Sequence, residues 1–229
     1  MKLARGARRW IAAAAVVPLV AAVYAASVGF TTPSTAAFIV ALGVPVFVTA
    51  FFRDPDREPD GDGVVSPADG KVTVLREEEG RLRLGVFMNL HNVHVNRAPV
   101  GGEVFELTHH EGGHRPAFSK ESESNERVVT RITESGADGE AGFVVVQIAG
   151  AFARRITPYV DEGDTVERGE RIGVIAFGSR VDVVFPESYE RNDIAVETGD
   201  RVRAGETVLA PLDVAPTRTP DTTTTSESF

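Results

Sequence analysis

Residues 160–175 read "VDEGDTVERGERIGVI", and residues 196–211 read "VETGDRVRAGETVLAP". Both follow V-x-x-G-D-x-V-x-x-G-E, offset by 36 residues. Glycine followed by aspartate suits a tight turn, and the flanking valines suit half-buried strands. Two similar halves of this kind are the pattern of a lipoyl- or biotinyl-type barrel-sandwich, so the expected fold is mainly β. In carrier proteins of that shape, the hairpin between the halves bears a modified lysine. Here that region holds Gly178-Ser179, inside "RIGVIAFGSRVDVVFP" (171–186), and the lysines of the chain are Lys2, Lys71 and Lys120. A carrier would lack its attachment point. Glycine and serine are ordinary turn residues, so the pair reads either as a hairpin or as a site of chemistry.

Upstream of the repeat, short β-rich segments follow one another: "GKVTVL", "RLRLGVFM", "VHVNRAPV", "EVFELTHH", "ERVVTRIT" and "GFVVVQIAG". Gly, Asp and Asn clusters bound them at hairpin spacing. The β-rich domain is expected over 64–212, after a polar, Pro/Gly-rich linker over 53–63. Residues 213–229 are low in complexity and are expected to be disordered. Residues 1–52 differ in kind. Two uncharged apolar runs, about 10–30 and 35–52, approach the roughly 20 residues that cross a bilayer, and "TTPS" lies between them. This predicts a two-helix transmembrane hairpin. A signal peptide has a shorter apolar region and would leave the second run unexplained. Basic residues before the first run, with Arg53 and Arg57 after the second, place both ends in the cytoplasm by the positive-inside bias. The expected location is the cell membrane, with the β domain on its cytoplasmic side.

Residues 1–53 carry five basic residues and no acid, whereas the remainder holds 19 basic and 33 acidic residues. That acidic surface argues against nucleic acid as a partner, since phosphate binding needs basic patches. The absence of cysteine excludes disulfides, a thiol nucleophile and thiolate-bound metal.

Among short motifs, His110-Glu111-Gly112-Gly113-His114 matches H-E-x-x-H. Zinc chemistry would need both histidines on one helix face. Adjacent glycines each cost about 1 kcal/mol in a helix, and the segment continues a strand, so a glycine-rich loop is expected and no metal. "SPADG" puts Asp69 in a turn. "FMNLHNVHVNRAP" carries His91 and His94; three apart in a strand, they would point to opposite faces. "NER" ends in Arg127, and "ARRI" holds Arg154 and Arg155. Each alone fits a turn, a core histidine or a solvated loop.

Together and in this order, with "FGSR" at 177–180, the motifs resemble the phosphatidylserine decarboxylase family, over about Phe51 to Leu212. They are most similar to its short archaeal and bacterial branch. The resemblance implies self-cleavage between Gly178 and Ser179, with Ser179 attacking the preceding carbonyl, His94 as base and Asp69 as its orienting partner. It implies a pyruvoyl cofactor made from Ser179, with neither metal nor pyridoxal phosphate, whose ketone forms a Schiff base with the serine amine of a phospholipid. The products would be CO₂ and the ethanolamine lipid, and the chains 1–178 and 179–229 would remain together as a heterodimer, or in a higher oligomer. His91 or His94 would return the proton. Arg127, Arg154 and Arg155 are candidates for the lipid phosphate. A rival reading without chemistry is a membrane-tethered, lipoyl-like adaptor.

Overall fold

The computed structural model describes residues 2–113, 124–133, 142–151 and 155–212. Two helices come first, α1 (Ala7–Val28) and α2 (Thr32–Phe51). At 1.5 Å per residue they are about 33 and 30 Å long, which suits the hydrocarbon core of a bilayer. Their apolar side chains, among them Val20, Val23, Val40 and Val46, stay exposed. Helix α2 begins three residues before its expected start. Thr31 and Ser34 form a reciprocal capping box and Pro33 lies in the first turn, so "TTPS" opens the helix.

The rest is mainly β. The strands are β1 (Lys2–Leu3), β2 (Arg53–Asp54), β3 (Val64–Val65), β4 (Gly70–Glu78), β5 (Arg81–Met88), β6 (Val95–Arg97), β7 (Gly102–His110), β8 (Arg127–Thr133), β9 (Phe143–Ala149), β10 (Arg155–Pro158), β11 (Thr165–Val166), β12 (Arg171–Ala176), β13 (Ser179–Val184), β14 (Arg201–Val202) and β15 (Val208–Ala210). Eight of them form one curled antiparallel sheet in the order β11-β7-β8-β9-β13-β5-β4-β14. A three-stranded sheet, β10-β12-β6, and two ribbons, β1-β2 and β3-β15, complete the sandwich. Alternation along the long strands sends Val86, Val128, Val145 and Val181 into a common core.

The sequence repeat is a repeat in space. Val166 pairs with Gly102 at one edge of the large sheet, and Val202 pairs with Gly70 at the other. The Val104 N–H donates to the Asp164 carbonyl at 2.8 Å, and the Val72 N–H to the Asp200 carbonyl at 2.9 Å. Gly169 and Gly205, both left-handed (φ 81° and 72°), meet where the halves touch. The matching of Gly70 with Gly102 reveals a second repeat that the sequence pattern does not disclose: "SPADGKV" (66–72) and "APVGGEV" (98–104) are equivalent. Asp69 takes the place that Gly101 holds in the other half.

The segment read as a linker is fastened down. Asp54 is buried and accepts from Arg171 Nε at 2.6 Å, with Arg97 at 3.5 Å. Through β1-β2 this ties the helical hairpin to the β domain.

Candidate active site

Gly178-Ser179 is not a hairpin turn. β12 lies in the three-stranded sheet and β13 lies at the centre of the large one, so the two strands do not pair. Phe177 and Gly178 carry the chain between sheets in the left-handed region, at φ 68° and 77°. A left-handed phenylalanine costs about 1–2 kcal/mol. Ring contacts hold it: Phe177 stacks on Phe51 at 4.8 Å and meets Trp10 edge-on at 5.4 Å. These partners come from α2 and α1, so the base of the hairpin roofs the step.

Ser179 opens β13 in register with Met88 on one side and Ala149 on the other. It is fully buried, and its Oγ has no hydrogen-bond partner among the described residues. The Gly178 carbonyl accepts from the Gly150 N–H at 3.0 Å. The end of β9 that presents this donor is itself held, because buried Asn125 donates from Nδ2 to the Ala149 carbonyl at 2.7 Å. Beside Met88 lies a buried amide pair: Gln147 Nε2 donates to Asn96 Oδ1 at 2.8 Å.

His94 just precedes β6. Its ring packs on the other neighbour of the step, with centroids 4.1 Å from Phe51. Nδ1 lies 3.1 Å from the Asn92 carbonyl. A carbonyl only accepts, so Nδ1 carries the hydrogen and Nε2 carries the lone pair. Nε2 is buried without a partner among the described residues, as Ser179 Oγ is. Burial pushes the pKa of His94 down to about 4, against the opposing pull of the Asn92 carbonyl and the Asp69 charge. The imidazole is therefore neutral at physiological pH and able to accept a proton.

The expected Asp69–His94 and His94–Ser179 hydrogen bonds are not formed. Asp69 instead takes both forks of Arg57, Nη1 to Oδ1 and Nη2 to Oδ2, the latter at 3.0 Å. It also accepts from the Ala204 N–H at 2.9 Å and the Val93 N–H at 3.3 Å. The carboxylate thus fixes the backbone next to His94 and leaves the tautomer to Asn92. Arg57, part of the supposed linker, is a site residue that the sequence reading missed.

His91 lies in an exposed loop before β6, not in a strand, and its carbonyl accepts from Arg53 Nη2 at 2.6 Å. Arg127 starts β8, opposite Ile148 in the large sheet. Arg155 is exposed on β10, opposite Ala176. The two arginines are therefore on different sheets, and Arg154 lies outside the described residues. His110 closes β7, and residues 111–113 after it are not helical; His114 lies outside the described residues.

The family model for phosphatidylserine decarboxylase matches residues 44–210. The chain belongs to the phosphatidylserine decarboxylase family. It is 58% identical over 173 residues to a Halobacterium salinarum protein with the provisional name archaetidylserine decarboxylase proenzyme, covering 75% of this chain and 84% of the relative. It is 46% identical over 214 residues to a phosphatidylserine decarboxylase proenzyme of Streptomyces griseus, covering 90% and 92%. A proenzyme of the same name from Thermobifida fusca is 47% identical over 215 residues, covering 91% and 92%. As a member of this family the chain is a decarboxylase, and its motifs fall inside the matched region.

The aromatic roof yields a prediction within this family member. Phe51→Ala would admit water to His94, and its pKa would rise from about 4 toward the ordinary value of 6.5. If His94 is the base of a self-cleavage at Gly178-Ser179, its neutral form is lost as pH falls through its pKa, and that cleavage should become acid-sensitive between pH 6.5 and 5. At pH 5 the variant should cleave roughly tenfold more slowly than at pH 8, while the wild type changes little. Phe51→Leu, which keeps the apolar cover, should retain the wild-type profile. Superimposable pH profiles for all three proteins would show that burial does not set the basicity of His94.

Proposed function

We propose that this chain is the proenzyme of a serine-phospholipid decarboxylase, acting on phosphatidylserine or archaetidylserine after cutting itself between Gly178 and Ser179. One observation carries the reading: a left-handed step delivers Ser179 Oγ, buried and without a partner among the described residues, beside a carbonyl already held by a backbone N–H. Strain of this kind collects at functional sites. In the proposed cleavage, Ser179 Oγ attacks the Gly178 carbonyl carbon as His94 Nε2 takes its proton. The Gly150 N–H faces the oxygen on which negative charge develops. The proton passes to the departing Ser179 nitrogen, and the amide becomes an ester. Loss of the Ser179 α-proton then expels Gly178 as a carboxylate. The dehydroalanine at 179 tautomerises to an imine, which takes up water and releases ammonia.

The residue left is a pyruvoyl group, amide-linked to Arg180 between Met88 and Ala149. Two of the buried polar atoms without a partner among the described residues, Ser179 Oγ and His94 Nε2, fit such a maturation centre. When formed, the group supplies an electron sink for the decarboxylation of an amino acid. The surrounding residues hold it in place. β13 is paired on both sides, and Asp182, beyond the cut, accepts from Arg83 Nε, before it, at 2.7 Å. The new chain 179–229 therefore stays bound to 1–178. The hairpin keeps the domain at a bilayer, where the lipid tails of the substrate remain, and the basic residues at its base favour the cytoplasmic side.

Intact mass analysis of the purified protein tests the reading. Two masses are expected, for 1–178 and 179–229, co-purifying under native conditions, and the smaller chain should resist Edman degradation because a pyruvoyl end has no amine. An adaptor would run as one chain. Active protein of full length would refute the proposal.

A further inference from the structure

An open cleft of about 530 Å³ lies at the base of α1. Arg5 and Arg9 enter it from the start of that helix, and Arg155 from β10. Arg5 donates to the Tyr159 carbonyl at 3.2 Å and lies over the Tyr159 ring at 4.9 Å. The Arg9 guanidinium lies 5.7 Å from the centre of the Trp10 ring. Among the described residues none of the three is in an ion pair, and Asp161 is the only carboxylate on the walls. The cleft is thus cationic on a domain that is otherwise strongly acidic. The hydroxyl of Tyr159, in the same wall, is buried without a partner among the described residues.

The position of the cleft gives it meaning. Arg155 pairs with Ala176, next to the left-handed step, and Trp10 touches Phe177 at 5.4 Å. On its other side the apolar surface of α1 begins, at the level where lipid headgroups meet basic and aromatic side chains. A ligand here would have its anionic part between arginines, its tails along α1 and its free end toward residue 179. Arginine presents a planar fork that matches phosphate oxygens.

We propose that this cleft receives the phosphodiester of the lipid substrate, held by Arg9 and Arg155, with Arg5 shaping the wall. The assignment rests on the decarboxylase reading. It also selects among the candidate arginines: Arg127, on the large sheet, is not part of the clamp.

Trp10 is the single tryptophan of the chain, so its emission reports on the cleft. The experiment titrates glycerophosphoserine, glycerophosphate and free serine against the uncut Ser179→Ala protein, which needs no turnover. Both phosphate esters should change the emission saturably, and serine should not. Arg9→Gln and Arg155→Gln, each in the Ser179→Ala background, should weaken binding by about tenfold or more, whereas Arg127→Gln should bind like its parent. Inorganic phosphate separates a free-phosphate site from a headgroup site: it should bind more weakly than either ester. Binding that survives both cleft substitutions, serine acting alone, or phosphate binding more tightly than the esters would overturn the assignment. None of these results depends on decarboxylation, so failure of the cleft is distinct from failure of the decarboxylase reading, which chain masses and CO₂ release decide.

Discussion

Ser179→Ala is expected to remain a single 229-residue chain and to release no CO₂ from a serine phospholipid. The loss should be complete, because the substitution removes the proposed nucleophile and with it the proposed precursor of the cofactor. Misfolding would give the same inactivity, and the structure separates the two. Ser179 Oγ is buried without a hydrogen bond among the described residues, a condition that costs about 1–3 kcal/mol. A methyl group fits the same space and removes that cost, while the pairing of β13 with β5 and β9 is untouched. The variant should therefore unfold no earlier on heating than the wild type. A stable, uncut and inactive protein supports the role of Ser179. Cleavage of the variant, or decarboxylation by its uncut chain, would remove Ser179 from the mechanism.

Much of this architecture was legible, and the reasons for the rest are physical. The repeat around Gly163-Asp164 and Gly199-Asp200 fixed a barrel-sandwich, because each copy closes one edge of the same sheet. The long strands were visible through alternation, which depends only on residues close in sequence. Pairing was not visible. "RIGVIA" and "SRVDVV" read as strands on either side of Gly178, and nothing in period-2 patterning says that they enter different sheets. The partner repeat at 66–72 and 98–104 hid because only the proline, one glycine and one valine recur in it. The site was legible as residue types but not as contacts. The Arg57 fork on Asp69, the Asn92 carbonyl on His94 and the Gly150 N–H on Gly178 depend on irregular backbone. Phe51 over His94 was hidden for a different reason. An apolar residue at the end of a membrane helix carries no mark of its second duty as a roof.

His94→Ala is expected to remain a single chain, and His91→Ala to cleave like the wild type. The two rings differ in environment. His94 is buried and neutral, its Nδ1 turned to Asn92 and its Nε2 free to take a proton near the step. His91 is exposed in the preceding loop and is tied down through its backbone carbonyl. The proposed maturation needs a base once, at a buried hydroxyl, and of the two only His94 meets that requirement. Loss of a positioned base is worth roughly 10²–10⁴-fold, enough to stop visible cleavage over the life of a preparation. Turnover is a separate demand, because a proton must reach the α-carbon in every cycle. A ring with a pKa near 4 is rarely protonated at pH 7, so His94 seldom carries a proton to give in the environment seen here, whereas His91 is exposed to solvent. Chain cleavage and CO₂ release measured on the same His91→Ala sample divide the roles. Complete cleavage with CO₂ release down by roughly 10²-fold or more assigns the returning proton to His91. Complete cleavage with near-normal release takes His91 out of the chemistry and gives that proton to His94, after cleavage has opened its surroundings, or to water. Normal cleavage of His94→Ala would dismiss the buried imidazole as the base, whatever His91 does.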